Sequence, residues 1–184
     1  MNSATATRLE LLKEIAPSVT RVAVILAPEH VTNAALLRST EAVAPSFGVL
    51  LTPARVRDAA EIEHAINVFA REPNGGLIVL PNPVTVGVPS KAIISLAARH
   101  RLPAVYPFRS LVINGGLISY GVDDNDQYRR AASYVDRILR GARPADLPVQ
   151  APTRFGLAIN LKTAKAIGLE IPATILGHAD EVIE

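Results

Sequence analysis

The chain reads as an α/β protein built on a doubly wound parallel sheet, and three observations lead there. Continuous apolar runs recur, clearest at Val22-Ala23-Val24-Ile25-Leu26 and Leu77-Ile78-Val79-Leu80. A strand covered on both faces needs no polar alternation, so such runs suit a buried parallel sheet. Segments with apolar residues at helical spacing separate the runs, and the connections are short, which is the pattern of βαβ crossovers. The 184 residues are 49% hydrophobic with mean hydropathy +0.25, enough to bury a sizeable core.

The elements follow in order. Leu9, Leu12 and Ile15 share a helical stripe from Arg8 to Ile15, which Pro17 closes. The 22–26 run is the first strand. Thr32 is placed to N-cap a helix reaching about Phe47, with Gly48 as its stop. Val49 to Pro53 is the second strand, and Asp58 caps a helix over Ala59 to Arg71. The turn residues Pro73-Asn74-Gly75-Gly76 end that helix, and Leu77 to Leu80 form the third strand. Beyond a proline-rich loop, Pro81 to Pro89, a helix over Ser90 to His100 leads to a fourth strand, Pro103 to Tyr106. Leu117 to Tyr120 is a fifth strand, and Asp123 or Asp124 starts a long helix through Leu139, closed by Gly141 and Pro144. Phe155 to Asn160 alternates like an edge or half-buried strand. Leu161 to Ile167 is a short helix stopped by Gly168. The tail, Ala173 to Glu184, carries Ile175, Leu176, Val182 and Ile183, which need a surface to cover them.

Composition excludes several function classes. With 19 basic and 17 acidic residues the net charge is +2, and the basic residues are scattered, so no nucleic-acid footprint is present. Cysteine is absent, which removes disulfides and thiolate metal sites. His30, His64, His100 and His178 lack ligand spacing, and Asp123, Asp124 and Asp126 lack the glycine and closing glutamate of a calcium loop. Neither Gly75-Gly76 nor Gly115-Gly116 fits a phosphate-binding motif, and no nucleophile–base set stands out. No catalytic residue, metal or cofactor is therefore expected. The start, Met1 to Thr7, lacks the basic and apolar regions of a signal peptide, and no apolar stretch is long enough for a bilayer, so the chain as written reads as cytoplasmic without membrane insertion.

In an open parallel sheet, ligands sit beyond the carboxyl ends of the strands. The loop after the first strand offers Pro28, His30, Thr32 and Asn33. The stiff loop after the third offers Asn82 and Thr85. The stretch Leu102 to Asp123 offers Tyr106, Phe108, Arg109, Ser119, Tyr120 and Asp123. Aromatic faces, one guanidinium and a few hydroxyls suit holding a small polar molecule better than transforming it. Each of these residues also has a plain structural alternative, as helix cap, loop stiffener or core filler.

The stretches LKEIAPSVTRVAVI, EPNGGLIVLPNP, LAARHRLPAVYPFRSLVINGGLISYG, YRRAASYVDRILRGARPADLPVQAPTRFGLAINLKTAKAIGLEIP and ADEVIE together resemble the ABC-transporter substrate-binding proteins of the tryptophan and tyrosine type. The resemblance covers nearly all of the chain. It implies one lobe of a type I periplasmic-binding-protein fold, with residues 1–18 as a crossing helix, 19–120 as the second lobe, and 121–184 as a C-terminal return into the first lobe. It further implies a small-molecule ligand such as an amino acid, an ABC permease as partner and a periplasmic location. Most of the family's first lobe has no counterpart in the chain. The strand from Phe155 and the tail are then expected to lie uncovered, favouring a homodimer through these segments. A ligand-sensing domain of a regulatory protein, or a stable lobe without present activity, are the alternatives.

Overall fold

A computed structural model describes residues 4–85 and 88–184. The apolar runs become the centre of a seven-stranded sheet. Helix α1 (Ala4–Ile15) leads into β1 (Arg21–Leu26), α2 (Val31–Val43), β2 (Leu50–Arg55), α3 (Ala59–Phe69) and β3 (Gly75–Val79). Then come α4 (Val88–Arg99), β4 (Ala104–Tyr106), α5 (Arg109–Ile113), β5 (Ile118–Val122) and the long α6 (Asp124–Leu139). The chain closes with β6 (Phe155–Asn160), α7 (Leu161–Ile167), α8 (Ala173–His178) and β7 (Glu181–Ile183).

Strand order is β2-β1-β3-β4-β5-β6-β7. The first five strands run parallel, β6 is antiparallel to β5 with Tyr120 opposite Leu157, and β7 lies parallel to β6. Helices cover both faces. Leu9, Leu12 and Ile15 of α1, with Leu37 of α2, pack on Val22, Val24, Ile78 and Val105. On the other face Ile62 and Ile66 of α3 and Ile93 of α4 pack on Ala23, Ile25, Leu77 and Val79. The doubly wound α/β class expected from the apolar runs is the class observed. β2 is the edge strand, which is why its burial alternates and Leu50 is left exposed.

Three local expectations change. Helix α2 begins at Val31 with extended His30 at its N-cap, so Thr32 lies inside the first turn. Gly75 and Gly76 belong to β3 rather than to the turn, which Asn74 makes by adopting φ 58°. They are glycines for space: a Cβ on Gly75 would lie 2.8 Å from the Phe69 ring. The third change concerns the last thirty residues. β6 and β7 extend the same sheet, and Leu157, Ile159, Ala164, Ile167, Ile171 and Ile175 are buried in the α1-side core. These residues are thus covered within the chain, contrary to the expectation of uncovered segments, because β6 finds in β5 an open edge to pair with; Phe155 and Val182 stay exposed. What leaves the sheet is residues 124–154, and α6 buries none of its side chains.

Candidate ligand-binding site

Because β1 to β5 are parallel, their carboxyl tips lie along one edge, and the chain order reverses between β1 and β3. Antiparallel β6 brings its first residue, Phe155, to that edge opposite Val122. The five loops leaving β1 to β5 therefore converge there with the segment that enters β6.

The β1–α2 and β3–α4 loops are tied together from inside. Asn33 is fully buried, and its amide, in the orientation that satisfies both ends, accepts from Ala27 N (3.1 Å) and donates to Pro81 O (3.2 Å). Asn82 Nδ2 donates to Leu80 O (2.9 Å), and Thr85 returns its N–H to Asn82 Oδ1 (3.0 Å) and its hydroxyl to Leu80 O (2.9 Å). All three side chains are spent on backbone, so they shape the edge rather than face a solute. His30 and Thr32 remain at the surface, paired by a 2.8 Å contact between Nδ1 and Oγ1, and Pro28 is half-buried.

Two residues expected on the rim lie in the core. Tyr106 is 1% exposed, packed with Ile93 and Leu111, and Ser119 is equally sealed. The alternation of a strand explains this, since Tyr106 pairs with Ser119 inside the sheet. Burial raises the Tyr106 hydroxyl well above the ordinary value near 10. A group that ionises less readily when folded favours the folded state below its unfolded pKa and loses that advantage as pH rises above it. Stability is therefore expected to fall above about pH 10, and Tyr106→Phe to flatten that fall in urea titrations at successive pH values. At neutral pH the same variant keeps the ring and is expected to change stability by less than about 1 kcal/mol.

The remaining residues gather at the β5–β6 end. Phe108 is half-buried at the start of α5, and Tyr120 stacks on Phe155 with ring centroids 5.7 Å apart and planes at 14°. Arg109 and Asp123 line a cavity of about 600 Å³ with Ser110, Gly121, Asn125, Arg154, Phe155, Asp180 and Glu181 among its walls. Arg109 grips Glu181 in a paired contact, Nε donating to Oε2 and Nη2 to Oε1, the latter at 2.7 Å. Asp123 caps α6 by accepting from Asn125 N (3.0 Å) and Asp126 N (3.3 Å), and Asp180 accepts from Leu157 N (2.8 Å). Both signs of charge are held in place around a space large enough for a small zwitterion. Among the described residues no group of three His, Asp or Glu is disposed to hold a metal ion.

Reading of loops and motifs missed Arg154, Phe155, Asp180 and Glu181, because β6 and β7 were not expected at this edge.

A sequence model of the family described as ABC transporter substrate binding protein matches residues 2–183. A search of curated proteins finds no match. Solved structures share the fold. An ABC domain from Streptococcus pneumoniae in complex with L-Trp superposes with TM-score 0.86 at 24% identity, over 99% of this chain and 62% of that one. A conserved domain protein from Vibrio cholerae gives 0.85 at 26% identity, over 99% and 60%. A ligand-free, open substrate-binding protein from Clostridium difficile gives 0.70 at 19% identity, over 95% and 58%. The chain thus spans about 60% of the length of these structures.

Proposed function

The chain belongs to the ABC transporter substrate-binding protein family, and from that premise we propose that it captures a small polar solute, such as an amino acid, and presents it to an ABC permease. Members of this family bind solutes without transforming them. The observation that carries the reading is the cavity of about 600 Å³ at the carboxyl edge, walled by charged side chains of both signs and by the ring of Phe155. Capture there is non-covalent: backbone and fixed side chains meet the polar end, and the Phe155 ring the apolar end. The L-Trp held by the Streptococcus pneumoniae structure favours an amino acid within this class. A periplasmic site of action accompanies the reading, and among the described residues no helix is long and apolar enough to cross a membrane.

A thermal-shift screen of the twenty amino acids and small carboxylates tests it. A solute present at a hundred times its Kd stabilises by about 2.7 kcal/mol. For a chain of this length that is a rise in Tm of roughly 5–10 °C. A flat response across the whole panel would overturn the proposal.

The same reading includes self-association through residues 121–184, with α6 as the surface. Tyr128, Val135 and Leu139 form a stripe along α6 and are 76%, 55% and 82% exposed. Asp124 and Asp126 stand at one end of the helix, Arg137 and Arg140 at the other. Two copies of α6 packed antiparallel would cover the stripe and set acidic ends against basic ends. A single helix pair buries less than a standard interface, so a dimer constant of about micromolar order is expected. Sedimentation velocity should show Val135→Asp shifting the chain to monomer; a monomer in the unmodified chain at tens of micromolar removes the idea.

A further inference from the structure

The carboxyl tips of β1 to β5 share one edge, so the helices returning between those strands end at the opposite, amino edge. Cations scattered through the sequence gather there. Arg71 follows α3, Arg99 and Arg101 close α4, and Lys162 stands in the first turn of α7, which leaves antiparallel β6 at this edge. The ends of α3 and α4 are joined by His100 Nε2 to Asn67 Oδ1 (2.7 Å), and Thr163 of α7 donates its hydroxyl to Gly115 O (2.9 Å), in the turn before β5. All four cations are exposed, and among the described residues none has a carboxylate within ion-pairing distance. Glu72 beside them is held by Arg21 (3.2 Å), and Glu14 and Glu41 belong to the helices of the sheet's other face.

Two of the four stand where helix physics alone would not put a cation. α4 ends in a Schellman turn, Arg101 N donating to Ala98 O (3.1 Å) and Leu102 N to Ala97 O (2.8 Å), with Arg101 in the left-handed position at φ 51°. After α6 and α7 the same turn is made by Gly141 and Gly168, the residue type that takes this conformation without a steric cost. Lys162 lies at the N-terminal end of its helix, where the positive end of the dipole opposes it. Support of a helix C-terminus accounts for Arg99, in the last turn of α4, and for neither of these. The void between α4 and α7 is about 10 Å³, room for about one water and not for a bound phosphate. Ile113, 49% exposed at the end of α5, adds an apolar tip to the same edge. Cations spread over three elements beside an apolar tip, with no pocket to shape a single anion, suit a broad sheet of negative charge.

We propose that the amino edge of the sheet is a peripheral docking surface for an anionic lipid bilayer, with Arg71, Arg99, Arg101 and Lys162 as its contacts to the headgroups. The cavity lined by Arg109 and Asp123 lies at the opposite edge, so a chain seated this way holds it toward solution. The docking surface stands independently of solute capture.

Co-sedimentation of the intact chain with vesicles of phosphatidylcholine, and with vesicles in which one-third of the lipid is phosphatidylglycerol, tests the assignment. Association with the anionic vesicles is expected to be stronger by about fivefold per cation, several hundredfold for the four together. It should weaken steeply as salt is raised, because exposed charges are screened. Arg101→Gly is the sharpest variant. Glycine relieves the left-handed position, so Tm should hold or rise, while anionic association falls about fivefold. A residue kept only for the turn would show no such loss. Lys162→Gln should cost the same factor from a different element, and the loss should multiply in the double variant. Equal association with both vesicles, association that survives high salt, or variants that bind the anionic vesicles as the parent does would each overturn the proposal. So would polyglutamate that displaces the chain from the vesicles at matched charge, since the edge would then be fitted to an acidic polypeptide rather than to lipid.

Discussion

Gly121→Ala is expected to destabilise the chain by about 3 kcal/mol or more, as overpacking against an unyielding neighbour does. The added Cβ would fall 1.9 Å from the Pro107 carbonyl oxygen and 3.0 Å from its carbon. Neither atom belongs to a side chain that can rotate away. Pro107 is buried where the chain turns from β4 into α5, and Gly121 is paired with Gly156 in the antiparallel ladder, so relief requires moving a strand tip. The cross-strand partner supplies the control. A Cβ on Gly156 would meet only Asp180 Oδ2, at 3.9 Å, and alanine there also narrows the unfolded ensemble. Gly156→Ala should therefore stay within about 1 kcal/mol of the parent, or gain slightly. Urea unfolding separates the two, through a midpoint that drops for Gly121→Ala with its slope preserved. Equal midpoints for the two variants would show that β5 and the Pro107 segment are not in close approach.

Most of the sheet was legible because its strands obey a rule that sequence displays directly. A strand covered on both faces, such as β1 or β3, is a run of apolar residues, and no partner need be known to see it. β7 obeys no such rule: Glu181-Val182-Ile183 is a three-residue strand whose pairing with β6 is set by where the chain returns in space. The same limit hid the fate of the last thirty residues. Their apolar positions were visible, but whether they face solvent depends on an open edge at β5, which is a tertiary fact. Gly75 and Gly76 show the reverse error. Glycine usually marks a turn, and here it marks the close passage of Phe69, Leu102 and Leu12 across a strand.

The candidate site, the cavity at the strand tips, was legible as an edge of the sheet and less so as a set of side chains. Topology puts ligands at the carboxyl tips of parallel strands, and that inference needs only the alternation of strands and helices. Which polar residue at a tip faces outward is decided by backbone demand. Leu80 O, Pro81 O and Ala27 N each take a side-chain partner, supplied by Asn33, Asn82 and Thr85. Tyr106 was misread for a related reason: a residue at the end of a three-residue strand still alternates, and this one falls on the inner side.

The double variant Asn82→Ala/Thr85→Val is expected to lose more than the sum of its parts, and its loss should carry over to solute capture. Leu80 O accepts from two side chains, Asn82 Nδ2 and Thr85 Oγ1, each at 2.9 Å. Removing either leaves the carbonyl one donor; removing both leaves a buried acceptor unpaired in the closed turn after β3. Thr85 N is protected in the same way, donating to Asn82 Oδ1 at 3.0 Å and to Asn82 O at 3.2 Å. Each single variant should therefore destabilise by about 1–2 kcal/mol, the scale of a lost hydrogen bond that has a substitute nearby. The pair should exceed the sum by about 1 kcal/mol or more, because only the double change exposes the full desolvation penalty. The turn carries Pro81, whose carbonyl receives the Asn33 amide, so its loosening also frees the β1–α2 loop at the same edge. Affinity for any solute that raises Tm in the panel should then fall further in the double variant than in either single one. Strict additivity in a denaturant-unfolding cycle would mean that the two side chains do not share the Leu80 carbonyl. Unchanged affinity in a folded double variant would place solute capture away from the β1–β3 tips.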